Sequence, residues 1–354
     1  MRLITLGILG GVAAVAAIAA VTLVPTGENP DAKLGERMFP ELAAKSEDVR
    51  SIELQRPEGT IAIARDGDAW RVPAKLGYPA DSAKVRQLFV EVTALRTLEA
   101  KTRNRDLYAS LEVEDRDQKD AKSTRVAFKN AQGQDILALL AGKNRYGRGG
   151  GGDDAVYVRK AGDAQAWLAR GRLTVNRETV HWLDREITNV ARDRVHEAVV
   201  RHADGTVVTV RRASPGDRDF AVADVPEGRK AKSSWEINSV AGAFEKLELD
   251  DVRKAGEATI AADGPSAMVT TYDGLAVTAR FGEADGATWV AITATAAPPA
   301  TLPEGISGLK KPDEVKAEAD AINRRVGPWL YKLPSFNLDN MRRKLEDLLE
   351  PKSS

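Results

Sequence analysis

Apolar and polar residues alternate in two stretches of the chain that correspond to each other. Residues 48–65, DVRSIELQRPEGTIAIAR, align without a gap with residues 194–211, RVHEAVVRHADGTVVTVR. In each stretch, two alternating runs flank a turn with a glycine, Gly59 or Gly205, and glycine tolerates the positive φ of tight hairpin turns. The dipeptide Asp273-Gly274 gives the same hairpin signal further along the chain. The pattern predicts β-hairpins and, from the match, an internal duplication.

Tryptophans mark further points of the predicted duplication. Trp70 and Trp235 follow the two hairpins, and each is predicted to lead a strand and to occupy an equivalent core position. A Trp-Leu pair stands near the end of each copy, Trp182-Leu183 and Trp329-Leu330, with a basic residue two positions after the leucine. We expect these pairs to correspond as well.

A helix and a second set of strands are predicted in each copy. Asp81 or Ser82 can cap a helix with apolar residues at helical spacing, and a shorter counterpart lies near Val240, Phe244 and Leu247. The strands predicted beyond these helices are Thr124 to Phe128, Asp135 to Leu140, Ala155 to Arg159, Ala267 to Tyr272, Leu275 to Phe281 and Ala287 to Thr293.

The last part of the chain is predicted to be helical. Residues 297–303 contain three prolines and indicate a linker, after which Pro312 can open a helix. The apolar face of that helix is Val315, Ala319, Ile322 and Val326. A final single helix is predicted from Leu338, Met341, Leu345, Leu348 and Leu349. Docking of this helix on the second module is favoured over a free, partner-binding helix.

These elements predict an α+β fold of two tandem related modules. Each module is an antiparallel β-sheet with packed helices, and one transmembrane helix precedes the pair. The expected domains are an N-terminal anchor at residues 1–25, a first module at 46–190, a second module at 191–297, and a linker with C-terminal helices at 298–354.

The predicted anchor is the run from Leu3 to Val24, which has 22 residues without a charged side chain. As a helix it would span about 33 Å, enough for a hydrocarbon core of roughly 30 Å. Arg2 precedes the run, so the positive-inside rule places the remaining chain on the outer side of the membrane. The alternative is a cleaved signal peptide, because Ala17-Ile18-Ala19 offers small residues at a cleavage site.

Composition removes several functional classes. Lys plus Arg equals Asp plus Glu at 52 each, and this neutrality disfavours a nucleic acid partner, whose phosphates need an excess of basic residues. The content of 43% hydrophobic and 29% charged residues is typical of a folded protein. Cysteine is absent, which excludes disulfides, thiolate nucleophiles and cysteine-ligated metals.

Two motifs with a formal match fail on physical grounds. Residues 147–152, GRGGGG, satisfy G-x-G-x-x-G, but a dinucleotide site needs a helix directly after the glycines. Asp153-Asp154 and a predicted strand follow instead, which indicates a hairpin tip. His196 and His202 share a predicted strand face, but six residues of strand separate them by about 20 Å, too far for one zinc ion. His181 is expected to pack or hydrogen-bond locally.

An acidic run is predicted to be a solvated loop. Its members are Glu112, Glu114, Asp115, Asp117 and Asp120. Counted from Asp115, a calcium loop would need a glycine at position six and a glutamate at position twelve, where Val126 stands. No catalytic, cofactor-binding or metal-ligating residue is therefore predicted, and no cofactor is expected.

Several of these features together resemble the domain of unknown function 4340 family. They are the hairpin repeat, Trp70 and Trp235, the segment TYDGLAV at 271–277 and the segment NRRVGPWLYKLP at 323–334. The resemblance covers nearly all of the chain after the predicted anchor. It implies a bacterial protein with one transmembrane helix and an exported repeat region, found beside components of a gliding-motility-type ABC transporter. It implies no catalytic residue, and the glycines at 149–152 depart from the family pattern.

The first functional hypothesis is an inner-membrane-anchored, single-pass protein with most of its chain in the periplasm. It would act as an accessory or binding component of an ABC-type transport system, with the permease and auxiliary subunits as partners. The alternatives are an envelope hydrolase that uses carboxylates at the junction of the modules, and a structural spacer. Perturbed acids that meet in a pocket would favour the hydrolase, and scattered, solvated acids would favour the binding protein.

Overall fold

The computed structural model describes residues 34–118, 120–146 and 154–351. The predicted anchor at residues 1–25 and the glycine run at 147–152 lie outside these residues. Within them, no helix combines the length and the apolar character needed to cross a membrane.

The described chain forms two units. The first unit runs to Ala74 and continues over Pro79–Trp182, while the second takes the short segment Lys75–Tyr78 and the chain from Leu183 onward. Lys75 and Tyr78 are held inside the second unit, because the Lys75 ammonium lies 2.6 Å from Asp251 and the Tyr78 ring meets Trp329 edge-on at 4.9 Å. Burial raises the pKa of Tyr78 to about 12.

The first unit is built on one nine-stranded sheet. Its strands are β1 Ser51–Arg56, β2 Gly59–Asp66, β3 Ala69–Val72, β4 Tyr78–Pro79, β5 Arg96–Thr102, β6 Thr124–Lys129, β7 Asp135–Arg145, β8 Ala155–Lys160 and β9 Ala166–Arg170. The edge strand β4 begins at Tyr78, the last residue of the short segment assigned to the second unit. Its helices are α1 Pro40–Ala44, α2 Ser82–Ala94 and α3 Tyr108–Leu111. Across the sheet the order is β4-β3-β2-β1-β6-β7-β8-β9-β5, and the strands from β3 to β5 pair antiparallel.

The second unit contains an eight-stranded sheet and a separate two-stranded one. Its strands are β10 Glu186–Thr188, β11 Val195–Arg201, β12 Val207–Arg211, β13 Ala221–Val222, β14 Leu247–Glu248, β15 Asp251–Lys254, β16 Ser266–Thr271, β17 Leu275–Ala284, β18 Ala287–Ala296 and β19 Trp329–Lys332. Its helices are α4 Ser234–Ala241, α5 Pro312–Val326 and α6 Ser335–Met341. The large sheet has the order β13-β12-β11-β16-β17-β18-β19-β15, and β10 pairs with β14.

The two large sheets follow one plan. Read from β3 and from β13, both orders start at a third strand, pass back through the hairpin, continue along four successive strands, and end on a strand that lies between the helix and those four strands in the chain. The helix of each plan is α2 in the first unit and α4 in the second. The prediction of an α+β fold from antiparallel sheets with packed helices is confirmed.

The ungapped match of the two hairpins is wrong by one residue beyond the turn. Ile63 pairs with Ile52 in the first hairpin, and Val210 pairs with Ala198 in the second, so Ile63 corresponds to Val210 rather than to Thr209. The cause is the turn: two residues separate Arg56 from its partner Gly59, whereas three separate His202 from Thr206. A shift of one residue exchanges the two faces of a strand, so only the corrected register buries the apolar side chains.

Two predictions about tryptophans are also wrong. Trp235 does not lead a strand: it lies in helix α4 and is 66% exposed, while Trp70 lies in β3 and is half-buried. Trp182-Leu183 is not the counterpart of Trp329-Leu330, because β19 begins at Trp329 and its equivalent β9 carries Trp167-Leu168. Pairing to β5 and β15, which no single sequence reveals, decides this correspondence.

Helix α2 forms as the sequence predicts. The Asp81 side chain caps it by accepting hydrogen bonds from the backbone amides of Ala83 and Lys84, at 2.9 and 3.2 Å. Val85, Leu88 and Val92 recur at helical spacing and are buried. The neighbouring Phe89 ring packs 5.0 Å from Phe128 of β6. The apolar face of the helix therefore contributes to the core of the first unit.

The C-terminal helices are partly as predicted. Helix α5 begins at Pro312 and buries its four predicted apolar residues, but the predicted final helix is broken. Helix α6 ends at Met341, and a separate 3₁₀ turn covers Leu345–Leu348. Met341, Leu348 and Leu349 are buried, so this segment packs on its own unit instead of presenting a continuous free apolar face.

Candidate functional site

A buried arginine of the second unit, Arg194, has two carboxylate partners. The Arg194 Nε donates to Asp273 at 3.0 Å, and its two terminal nitrogens donate to Glu318 at 3.0 and 2.9 Å. Asp273 is fully buried and also accepts from the backbone amide of Lys310 at 2.8 Å and from the Thr271 hydroxyl. Asp273, predicted as a turn residue, is thus an internal hydrogen-bond acceptor.

The pKa directions in this network are those of a structural ion pair. Burial alone would raise the pKa of Glu318, but hydrogen bonds from Arg194 and Lys310 outweigh it and lower the pKa. Burial alone would lower the pKa of Arg194, and the charges and hydrogen bonds of Glu318 and Asp273 raise it instead. Both shifts favour the charged forms of Arg194 and Glu318, which suits a structural ion pair rather than proton transfer.

A second buried arginine occupies the first unit. Arg159 of β8 donates to the backbone oxygens of Val113 and Asp163 at 3.0 and 2.8 Å and to the Asp115 carboxylate at 2.5 Å. Its guanidinium lies 4.3 Å above the centre of the Tyr108 ring. The prediction of a fully solvated acidic loop is therefore wrong for Asp115 and for the neighbouring Glu114, which is 4% exposed.

The three histidines are spread over separate local environments. The His196 ring lies 5.3 Å from the Tyr272 ring, His202 Nε2 lies 3.2 Å from the Arg343 backbone oxygen, and His181 is near the exposed Glu178. Among the described residues, no group of three His, Cys, Asp or Glu side chains is placed to hold a metal ion.

One solvent-open cavity of ≈ 200 Å³ lies at the turn end of the first hairpin. We call it the hairpin-end cavity, and define it by Arg56, Glu58, Thr60, Thr124, Arg177 and Thr179, with Leu54 and Ile61 as apolar neighbours. The hairpin, the first residue of β6 and the segment after β9 each supply part of its wall. Residues far apart in the sequence are thus brought together within the first unit.

The charged side chains of this cavity have few partners. The terminal nitrogen of Arg56 lies 3.3 Å from the exposed Glu58 carboxylate, and its Nε is buried without a hydrogen bond to any described residue. Arg177 is exposed and makes neither a hydrogen bond nor an ion pair with the described residues. Arg56 and Arg177 differ in this from Arg159 and Arg194, whose guanidinium groups donate hydrogen bonds to acceptors within their own units.

A larger groove of ≈ 410 Å³ lies between β18 and helix α5 of the second unit. Its charged lining is mixed, with Asp313 and Asp320 opposed by Lys316. Asn323 covers the strand backbone there: its amide accepts from the Ala294 amide at 2.9 Å and donates to the Ala294 carbonyl at 2.8 Å. The backbone groups that the groove would offer to a ligand strand are therefore already paired at this point.

Sequence reasoning missed Arg56 and Arg177. Arg56 stands in the predicted hairpin, where an arginine beside a turn is ordinary, and Arg177 stands in a stretch without any motif. Only the tertiary fold brings the segment after β9 to the hairpin, so no spacing rule could have joined the two residues. The sequence did predict the hairpin that positions one of them.

Comparison with known proteins places the chain in a family. A search of curated proteins found no significant match. Residues 70–267, which run from β3 of the first unit into β16 of the second and make up more than half of the chain, match the model of the family described as Domain of unknown function (DUF4340). The chain therefore belongs to the DUF4340 family.

Proposed function

We propose that this protein is an inner-membrane-anchored periplasmic accessory protein. It binds the exported part of an ABC-type transport system, with the permease and auxiliary subunits as partners. The observation that carries a binding role over a catalytic one is the use of the buried charges: Arg159 and Arg194 are each neutralised by groups of their own unit. Such pairs hold a fold together and leave no activated proton donor.

The carboxyl groups with displaced pKa values support the same choice. Hydrogen bonds from the Thr206 hydroxyl and amide lower the pKa of Asp204, and a hydrogen bond from the Ser233 hydroxyl lowers that of Glu236. Glu318 is lowered by Arg194 and Lys310 against its burial. A general acid of a hydrolase needs a raised pKa, so these three groups do not favour the hydrolase alternative.

Exposed aromatic side chains on the second unit also favour protein binding. Trp235 on α4 is 66% exposed and Phe336 on α6 is 58% exposed, and the two helices contact each other. Aromatic residues are enriched in protein interfaces, where they supply large contact areas at low entropic cost.

Partner capture from native membranes tests the proposed function. The full chain is crosslinked in cells, purified from solubilised membranes, and its partners are identified by mass spectrometry. We expect transporter permease or auxiliary subunits, and a lower recovery with the double variant Trp235→Ala and Phe336→Ala. The control is Val90→Ala on α2, which removes an exposed apolar side chain of the first unit. Recovery of the protein without any transporter subunit contradicts the proposal.

The membrane part of the proposal rests on the uncharged run from Leu3 to Val24. N-terminal sequencing of the mature protein separates an anchor from a cleaved signal peptide. We expect the intact N-terminus, together with digestion of the following chain by protease added to spheroplasts. Protection of the chain from that protease contradicts a periplasmic location.

A further inference from the structure

We propose that the hairpin-end cavity of the first unit binds a carboxylate group. The inference goes beyond the proposed function and does not depend on a transporter partner. It rests on an imbalance of charge and of hydrogen-bond donors at one solvent-open place. The cavity holds two arginines and one acid, so its lining carries a net positive charge.

The donors of the cavity exceed its acceptors. Each guanidinium offers five N–H donors and no acceptor. The Arg56 Nε is buried without a partner among the described residues, and Arg177 is without any. Glu58 reaches only one terminal nitrogen of Arg56, at 3.3 Å, and its own side chain is 66% exposed. An exposed pair of this kind contributes little, so both arginines keep donors that a further anionic acceptor can engage.

The rest of the lining suits a small acid. Hydroxyl groups come from Thr60, Thr124 and Thr179, and apolar surface comes from Leu54 and Ile61. A volume of ≈ 200 Å³ is below the roughly 300–1,000 Å³ of sites for drug-sized ligands. The cavity therefore fits one carboxylate with a short apolar stem, as in a small organic acid or an acidic side chain.

In the second unit, the position equivalent to Arg56 is paired with an acceptor from the same unit. Leu54 and Val200 hold the same position in the two sheets, so Arg56 corresponds to His202. His202 lies 3.2 Å from the backbone oxygen of Arg343, which belongs to the segment after β19. In the first unit, the segment after β9 brings Arg177 to this place, a second donor in place of an acceptor. His202 thus meets an acceptor from a later segment of its own unit, whereas the Arg56 side chain has only the exposed Glu58 as an acceptor among the described residues.

Charge favours a carboxylate over a phosphate. An arginine fork matches both groups geometrically. Glu58 offsets one of the two arginines, so a bound monoanion neutralises the lining, whereas a dianion would leave the filled site with a net negative charge. A carboxylate is the monoanion that proteins and small metabolic acids both carry.

The test is a titration of the full-length purified chain with selectively ¹⁵N-labelled arginine, followed through the Nε–H signals. The probes are acetate, an end-blocked tripeptide with a central glutamate, and inorganic phosphate, all at equal ionic strength. We expect acetate to shift the Arg56 and Arg177 signals saturably, with a Kd on the order of 1 mM. Arg56→Gln and Arg177→Gln should each weaken binding about tenfold or more, because each removes a charge-assisted donor set.

The matched control is Arg86→Gln, which removes an exposed arginine of helix α2 and should leave the affinity unchanged. Arg177 is exposed, so its variant should fold, and unshifted signals of the other arginines check this. Tighter binding of the peptide than of acetate identifies a protein segment as the source of the carboxylate, and the reverse identifies a free acid. The proposal is overturned if no carboxylate gives a saturable shift, if phosphate binds as tightly as acetate, or if Arg86→Gln weakens binding equally.

Discussion

The two hairpins β1–β2 and β11–β12 hold the same place in their sheets, yet they end differently. The first turns over two residues and leaves Arg56 beside an open cavity. The second turns over three residues, and its His202 meets the chain's own Arg343 carbonyl. The apolar positions that face the cores agree in both hairpins, once the extra turn residue is allowed for.

This difference separates what the fold requires from what it leaves free. Burial of one face demands the alternating apolar pattern in both copies, because a slipped strand would expose it. The turn lies outside the core, so its length and its charges could diverge without loss of the sheet. The buried arginines of the two units also differ. Arg159 lies in β8 and pairs with Asp115, whereas Arg194 lies directly before β11 and pairs with Asp273.

The largest expected difference between the units concerns their buried arginines. Asp273→Asn should lower the free energy of unfolding by about 3–5 kcal/mol, because the fully buried carboxylate accepts hydrogen bonds from Arg194, Lys310 and Thr271, and the asparagine amide would turn a donor toward these donors. Asp115→Asn should cost only about 1–3 kcal/mol, since Arg159 keeps two backbone oxygens as acceptors. Urea unfolding followed by circular dichroism measures both. Equal losses would mean that the two pairs are equivalent after all.

The tryptophans give a similar contrast in packing. Trp182 is 1% exposed and donates from Nε1 to the Asn176 backbone oxygen at 3.0 Å, so Trp182→Ala should cost about 3–5 kcal/mol. Trp235→Ala, at an exposed position of α4, should stay within about 0.5 kcal/mol. Thermal and urea unfolding of the two variants measures the difference. A large loss of stability for Trp235→Ala would contradict its exposed position and would support the predicted core position of this tryptophan.

The Glu318 carboxylate predicts acid sensitivity in the second unit. Its pKa is lowered from the ordinary 4.5 in the folded state, so its stabilisation is complete above pH 4.5 and is lost as the pH falls through the folded value. Glu318→Gln should cost about 1.5–3 kcal/mol at neutral pH and make the decline below pH 4.5 shallower. Urea unfolding at a series of pH values measures this. Glu304→Gln, at an exposed position, is the control and should keep the decline of the unmodified protein.

The smallest expected effect lies at the hairpin ends themselves. His202→Ala should cost about 0.5–1.5 kcal/mol through loss of its hydrogen bond to the Arg343 carbonyl. Arg56→Gln should stay within about 0.5 kcal/mol, because its carboxylate partner Glu58 is exposed. Differential scanning calorimetry of both variants is the measurement. A larger loss for Arg56→Gln would show that the arginine serves stability rather than ligand binding.

Local sequence patterns were enough to predict the elements in which apolar residues recur with the regular spacing of a strand or a helix. The predicted starts of β6, β7, β8, β16, β17 and β18 lie within one residue of the observed starts, while β7, β17 and β18 continue three to five residues past their predicted ends. The Asp81 cap and the spacing of Val85, Leu88 and Val92 predicted α2, and Pro312 marked the start of α5. Each of these signals acts over a few residues, where backbone geometry and the burial of one face suffice.

The wrong predictions share a different cause: the residues concerned depend on pairing and packing with segments far away in the sequence. Strand pairing to β15 and β5 decided which Trp-Leu pair matches Trp329-Leu330, and the packing of α4 left Trp235 exposed. The predicted final helix is broken after Met341, so its buried residues Met341, Leu348 and Leu349 lie in separate short segments instead of one helix. Burial against a partner outweighs local propensity where the two conflict.

By itself, the sequence determined the α+β class, the duplicated plan, the family resemblance and the uncharged N-terminal run, because these are properties of residue order and composition. Tertiary structure alone decided the register beyond the hairpin turn, the pairing of Asp273 and Asp115 with buried arginines, and the cavity lined by both Arg56 and Arg177. A charged side chain is read from the sequence as solvated until a specific partner is known. Whether such a side chain pairs within the core or stays available to a ligand depends on which distant acceptor the fold brings within hydrogen-bond distance.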